Sequence, residues 1–239
     1  MTTSPELTDR PAPPRLFGRR LGRPLKAARA QVLETLLPHL DISLPEVSGV
    51  QITPEALFPD AGSLDGCWME IGFGNGEHLA ALMDRHPATG FIGVEPFRAG
   101  LSMFLKSIRG KSLTHIRVFA DDAMMLVDRL AGGCLDGIYI LNPDPWPKKR
   151  HHKRRIVSAA NLDRMARVLK SGGKLVMATD VDDLADWMVT QAVRHPAFVW
   201  ASRRADDWRV PPADWIETRY EVKGRQAGRR QTYLFFTRR

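Results

Sequence analysis

The 239-residue chain has little cysteine: two residues, Cys67 and Cys134. Neither belongs to a CxxC pair or a His-rich stretch, which argues against a disulfide scaffold, a structural zinc site and a dithiol redox centre. Both lie in apolar, strand-like surroundings and read as small buried hydrophobes in a reducing compartment. No apolar run reaches the length of a membrane span, so no transmembrane helix is expected. Met1 to Pro14 is polar and Pro-rich and lacks an apolar h-region, so it does not read as a signal peptide. A cytoplasmic location follows as the expectation. His78, His86, His115 and His195 are scattered, and His151 and His152 have no acids near them at ligand spacing, so no metal is expected. No internal repeat is visible.

Hydrophobic residues make up 44% of the chain, enough for a substantial core. Lys and Arg number 35 against 27 Asp and Glu, a formal net charge of +8 that points toward a polyanionic partner. The surplus is concentrated. From Arg10 to Arg29 the chain carries Arg10, Arg15, Arg19, Arg20, Arg23, Lys26 and Arg29 and no acid. Residues 1–40 therefore read as a basic, partly disordered arm leading into a helix near 26–37 that Pro38 limits, and residues 41–239 as one domain. Oligomeric state, monomer or homodimer, is not legible.

From residue 67 strands and helices alternate. Buried strands are predicted at 67–73, 90–96, 115–121, 135–141 and 174–180, with further strands at 198–202 and 231–237. Helices are predicted at 77–86, 97–109, 123–131, 156–169 (ended by Gly172 and Gly173) and 182–194. This alternation specifies an α/β fold with a doubly wound, mostly parallel sheet and right-handed crossovers. Residues 41–63 read as loop-rich, with no regular element assigned.

In such a fold the ligand lies outside the C-terminal ends of the strands. The first strand ends in Glu70-Ile71-Gly72-Phe73-Gly74-Asn75-Gly76, whose glycines allow a tight turn and close approach to a ligand. A pyrophosphate fingerprint would place a small residue at 77, where this chain has Glu77, so a dinucleotide is disfavoured. S-adenosylmethionine, cationic and without phosphate, fits a loop preceded by an acid. The second strand ends in Glu95, placed to accept the hydroxyls of a ribose. The third ends in Asp121-Asp122, where a carboxylate can receive the adenine amine. Each acid alone is more often a helix N-cap or a solvated residue, Asp121 being a candidate; three successive strands ending in one describe a pocket for an adenosine with a cationic tail.

The fourth strand ends in Asn142-Pro143-Asp144-Pro145-Trp146-Pro147, stiffened by three prolines. Lys148-Lys149-Arg150-His151-His152-Lys153-Arg154-Arg155 follows, a run suited to sequence-blind phosphate contact. Trp146 could stack on a base or pack beneath the loop.

These segments together, EIGFGNG, GVEP, DDA, PDPWPKKRHHKRR, the Thr179-Asp180 pair and TRYE at 218–221, resemble the bacterial tRNA (guanine-N7)-methyltransferases, the TrmB family. The resemblance spans about residues 67–239 and implies a Rossmann-like class I methyltransferase. It implies transfer of a methyl group from S-adenosylmethionine to N7 of a guanine in tRNA, guanosine 46 of the variable loop in that family. By the same resemblance Glu70, Gly72, Gly74, Glu95, Asp122 and Asp144 hold the cofactor, and Asp144 is catalytic. Lys148, Asp180, Thr218, Arg219, Tyr220 and Glu221 contact the tRNA. Asn142 departs from the family, where an aromatic is more usual before PDPW. Two other readings are a methyltransferase with a different target, such as adenine N6, and a non-catalytic RNA-binding protein with a vestigial pocket.

Overall fold

A computed structural model describes residues 18, 20, 22, 24–47 and 49–239. Arg10, Arg15, Arg19 and Arg23 of the basic arm lie outside the described residues. Five parallel strands form most of one sheet: β1 (Gly66–Ile71), β2 (Thr89–Val94), β3 (Ile116–Phe119), β4 (Leu135–Leu141) and β5 (Leu169–Thr179). Two more, β6 (Phe198–Trp200) and β7 (Thr232–Arg238), complete the order β3-β2-β1-β4-β5-β7-β6. β7 runs antiparallel to both its neighbours, so the sheet is mixed rather than parallel throughout. The chain winds outward from β1 to β3, then returns to β4 and continues the other way. That reversal opens a crevice beyond the C-terminal ends of β1 and β4.

One face of the sheet is covered by α1 (Ala27–Thr35), α4 (Glu77–Arg85) and α5 (Arg98–Ser107), whose Leu79, Met83, Leu101 and Phe104 are buried with Phe91 and Val118. The other face is covered by α6 (Ala123–Arg129), α7 (Ala159–Val168) and α8 (Asp182–Arg194), whose Leu126, Leu162, Met165 and Met188 join Met69, Ile92 and Ile138. The strands feeding both faces read as mostly apolar runs, broken only by single charges such as Glu70, Arg117 and Asp136, as a doubly covered parallel sheet requires. Cys67 and Cys134 are free and buried, and burial pushes both thiols up from their ordinary range.

Several expectations are corrected. Pro38 does not simply end a helix: it lies in the first turn of α2 (Leu37–Leu40), where its missing N–H costs nothing. Residues 41–63 include α3 (Pro54–Leu57) and two isolated bridges, Asp41 to Val118 and Ile52 to Leu130. Gly172 and Gly173 do not end α7. Leu169 is already extended and pairs with Leu135, the intervening residues bulge out, and pairing resumes at Lys174 opposite Gly137. Gly172, at φ 79°, supplies the left-handed residue that the bulge needs. A 3₁₀ turn over Lys149–Arg154 and helices α9 (Asp206–Arg209) and α10 (Arg219–Gln226) lie beyond the predicted elements. Among the described residues no helix is long and apolar enough to cross a membrane.

Candidate active site

The crevice has a volume of about 790 Å³ and is walled by the ends of β1, β2 and β4, the loop after β4, and the start of α10, within the size range of small-molecule sites. Its floor is the Gly-rich turn. Gly72, Gly74 and Gly76 have φ of 74°, 58° and 79°, a region open to glycine at little cost. Gly76 has a second reason: a Cβ there would collide with the Phe104 ring.

The acids converge on this turn. Glu95 is buried; its Oε2 accepts from the Gly74 N–H at 2.7 Å and its Oε1 from the Phe97 N–H at 2.8 Å. It thereby pins the Gly-rich turn to the entrance of α5. Burial pushes its carboxyl above the usual range; the two N–H bonds oppose this, and the charges of Asp144 and Glu70 add to it. Glu70 is buried at 3% exposure with Oε2 2.8 Å from Nδ1 of His78 on α4. Asp122 is the N-cap of α6, its Oδ1 accepting from the Met124 N–H at 2.8 Å. Asp121 accepts from the Asp122 N–H and pairs with Arg20. Asp144 stays exposed at the crevice, yet the protein packed around it withholds enough water to lift its pKa.

Residue 142 sits at φ 49° and residue 146 at φ 44°, the two non-glycine residues with positive φ among those described. For a tryptophan this is an outlier conformation. Asn142 is held by Gln231 Nε2 at 2.9 Å, and its own amide reaches Thr218 Oγ1 at 3.4 Å. The Trp146 ring lines the crevice with the Arg154 guanidinium 5.0 Å from its centroid and His151 edge-on at 5.9 Å. The basic arm also reaches the site. Gly18 lies near Asp144, the Arg20 carbonyl accepts from the Arg98 N–H, and Gly22 rests on Phe97.

Glu70, Gly72, Gly74, Glu95, Asp122, Asp144, Thr218 and Tyr220 thus meet in one crevice. Lys148 and Arg219 are exposed and outside its lining. Asp180 bonds Arg229 at 2.8 Å. Glu221 is buried and accepts from Trp215 Nε1, Tyr233 OH and the Thr218 N–H, closing a capping box on α10. Both carboxylates hold the C-terminal segment in place. Sequence reasoning missed His78, set aside as one scattered histidine, although its i+8 spacing from Glu70 spans one strand-turn-helix unit. It also placed Arg155 with the phosphate-facing run; the structure buries it.

The lining suits S-adenosylmethionine. Each Glu95 oxygen keeps a lone pair for a ribose hydroxyl after taking its N–H. The acids leave an excess of negative charge for a sulfonium and an ammonium, and Ile71, Phe73 and Met124 offer apolar surface for a purine. Among the described residues no group of three or more His, Cys, Asp or Glu gathers at metal-binding distance.

A family model described as a putative methyltransferase matches residues 66–234. Among solved structures, the 16S rRNA methyltransferase KamB superimposes with a TM-score of 0.58 at 16% identity, covering 80% of this chain and 96% of its own. TrmN from Thermus thermophilus does so with a TM-score of 0.51 at 14% identity, covering 77% and 48%. At these identities the likeness concerns the fold alone, a Rossmann-like class I methyltransferase. Curated relatives are much nearer in sequence. The tRNA (guanine-N(7)-)-methyltransferase of Agrobacterium fabrum is 48% identical over 93% of this chain and 94% of its own length. That of Rhodospirillum rubrum is 44% identical over 94% and 88%. With the family model and these relatives spanning the crevice from the Gly-rich turn to β7, the chain belongs to the tRNA (guanine-N(7)-)-methyltransferase family.

Proposed function

We infer that this chain methylates N7 of a guanine in tRNA, with S-adenosylmethionine as methyl donor, and that its target is guanosine 46 of the variable loop. The observation that carries the reading is the placement of Asp144. It stands on a Pro-stiffened loop at the point where the Gly-rich turn, Glu95 and Glu70 meet, in a chain of this family. When bound, the cofactor supplies an electrophilic methyl group on a sulfonium. Guanine N7 presents an in-plane lone pair and no proton, so no general base has to remove one. What the protein must do is orient and stabilise. Glu95 would hold the ribose hydroxyls, Asp122 would receive the adenine amine, and Glu70, braced by His78, would balance the cationic tail. Asp144 accepts from the N–H edge of the target guanine and opposes the positive charge that develops on its ring. Its partly desolvated carboxylate makes that opposition stronger than it would be in water. Lys148, Asp180 and the 218–221 segment belong to the tRNA side of the site, Asp180 and Glu221 by shaping it from within.

The test is an incubation with labelled S-adenosylmethionine and two tRNA transcripts, one with guanine and one with 7-deazaguanine at the variable-loop position. Label should enter the first as 7-methylguanosine and be absent from the second. Label in the 7-deaza transcript would refute the assignment of position or of atom, and N6-methyladenosine in the digest would replace guanine by adenine.

A further inference from the structure

Arg155 is the buried member of the basic run: its side chain is 1% exposed, whereas Lys148, Lys149, Arg150 and Lys153 are exposed. It caps the 3₁₀ turn, its N–H bonded to the His152 carbonyl at 3.0 Å. Its Nε donates to the Pro145 carbonyl at 2.9 Å, and its Nη2 to Asp183 at the start of α8. The guanidinium lies 5.1 Å from the centroid of the Trp187 ring. That indole is itself fixed, its Nε1 donating to the Val157 carbonyl at 2.6 Å while His152 packs edge-on against it. Nη1 is buried with no hydrogen-bond partner.

This is an expensive way to fill space. A buried guanidinium pays desolvation that one partner, Asp183, itself 65% exposed, repays poorly. The orphaned Nη1 adds to the cost. An apolar side chain would pack there more cheaply, so stability does not account for an arginine. What the planar fork supplies is geometry. From the wall of the crevice, which it also lines, it holds the 142–147 loop at Pro145, the residue between Asp144 and Trp146, in a segment whose prolines have no N–H to donate. Held there, the loop keeps Trp146 in its left-handed conformation and Asp144 facing the crevice.

We propose that Arg155 is a positioning residue for methyl transfer: through the Pro145 carbonyl it fixes the carboxylate of Asp144, and it does not touch tRNA phosphate. The proposal rests on the functional reading given above. Lysine keeps the charge but cannot reach carbonyl, carboxylate and indole face as one rigid plane.

The test compares wild type with Arg155→Lys, Arg155→Met and Asp183→Asn in single-turnover methylation of tRNA at saturating cofactor. Affinities for S-adenosylmethionine and tRNA, and the salt dependence of tRNA binding, are measured alongside. Arg155→Lys should slow the methyl-transfer step about tenfold to a hundredfold while both affinities stay within about threefold and the salt slope is unchanged. Asp183→Asn alters an exposed carboxylate and leaves the core intact, so it keeps the test open if Arg155→Met fails to fold; it should slow transfer by a smaller factor. Normal rates in both Arg155→Lys and Asp183→Asn would overturn the proposal. So would a loss confined to tRNA affinity with a flatter salt slope, since Arg155 would then be a phosphate contact. No transfer by the wild-type chain would instead sink the functional reading, and the positioning role with it.

Discussion

Asp144 carries the sharpest consequences. Its carboxyl is lifted above the ordinary value by the protein around it, so the acid limb of the methyl-transfer rate should lie above the usual aspartate range. Asp144→Asn should lose about 3–4 kcal/mol of transition-state stabilisation, roughly a hundred- to thousandfold in single-turnover rate, and should lose the acid limb with it. The sign for stability is opposite. Folding makes this group harder to ionise, so its contribution is most favourable below the unfolded pKa and declines as pH rises through the folded one. Asp144→Asn should therefore melt no lower than wild type at neutral pH, an advantage that fades in acid; thermal melts across that range decide it. A less stable variant at neutral pH would mean that the carboxylate makes a structural bond. Glu95 is likewise raised, chiefly by burial and further by the charges of Asp144 and Glu70. A cationic ligand relieves that repulsion, so affinity for S-adenosylmethionine should rise with pH through the lifted carboxyl range, with proton release on binding. The neutral thioether product should show much less of this. Calorimetry in buffers of different ionisation enthalpy measures it, and equal pH dependence for both ligands would show that the acids do not sense the sulfonium.

Among the elements, the Gly-rich turn and α10 are where small changes should be felt most. Gly76→Ala would place a Cβ into Phe104 at a left-handed φ; loss of the folded state or a large drop in melting temperature is expected, and a melt settles it. Thr218→Ala removes the capping box of α10 and should cost about 1 kcal/mol while freeing the Asn142 amide. The sequence showed the parallel core because each of those strands is a bounded apolar run: β4 falls on its predicted span and β1 to β3 within a few residues. It showed the crevice acids because strand ends converge in any doubly wound sheet. It did not show the Gly172 bulge, since a glycine pair after a helix reads equally as a cap. Nor did it show that Arg155 and Glu221 turn inward: burial of a charge depends on partners such as Trp187 and Tyr233, which come from elsewhere in the chain.

At the scale of the whole molecule, the net charge of +8 acts through where it is free. Binding of tRNA should weaken steeply with salt, each phosphate contact adding roughly one to the logarithmic slope. Neutralising Lys148, Lys149 and Arg150 together should flatten that slope, whereas Arg155→Lys should not; a salt-insensitive affinity would remove the electrostatic account. The sheet order has a further consequence, for the timing of folding. β7 lies between β5 and β6, so β6 at Phe198–Trp200 is made well before the strand at Thr232–Arg238 that it must pair with. At ribosomal speeds the interval is roughly two to six seconds. During it Phe198 and Trp200 lack the strand they pair with, and the nascent chain carries a short apolar segment in waiting. In pulsed hydrogen exchange during refolding, the amides of β6 should gain protection no earlier than those of β7, with the edge of β5 left open until β7 fills it.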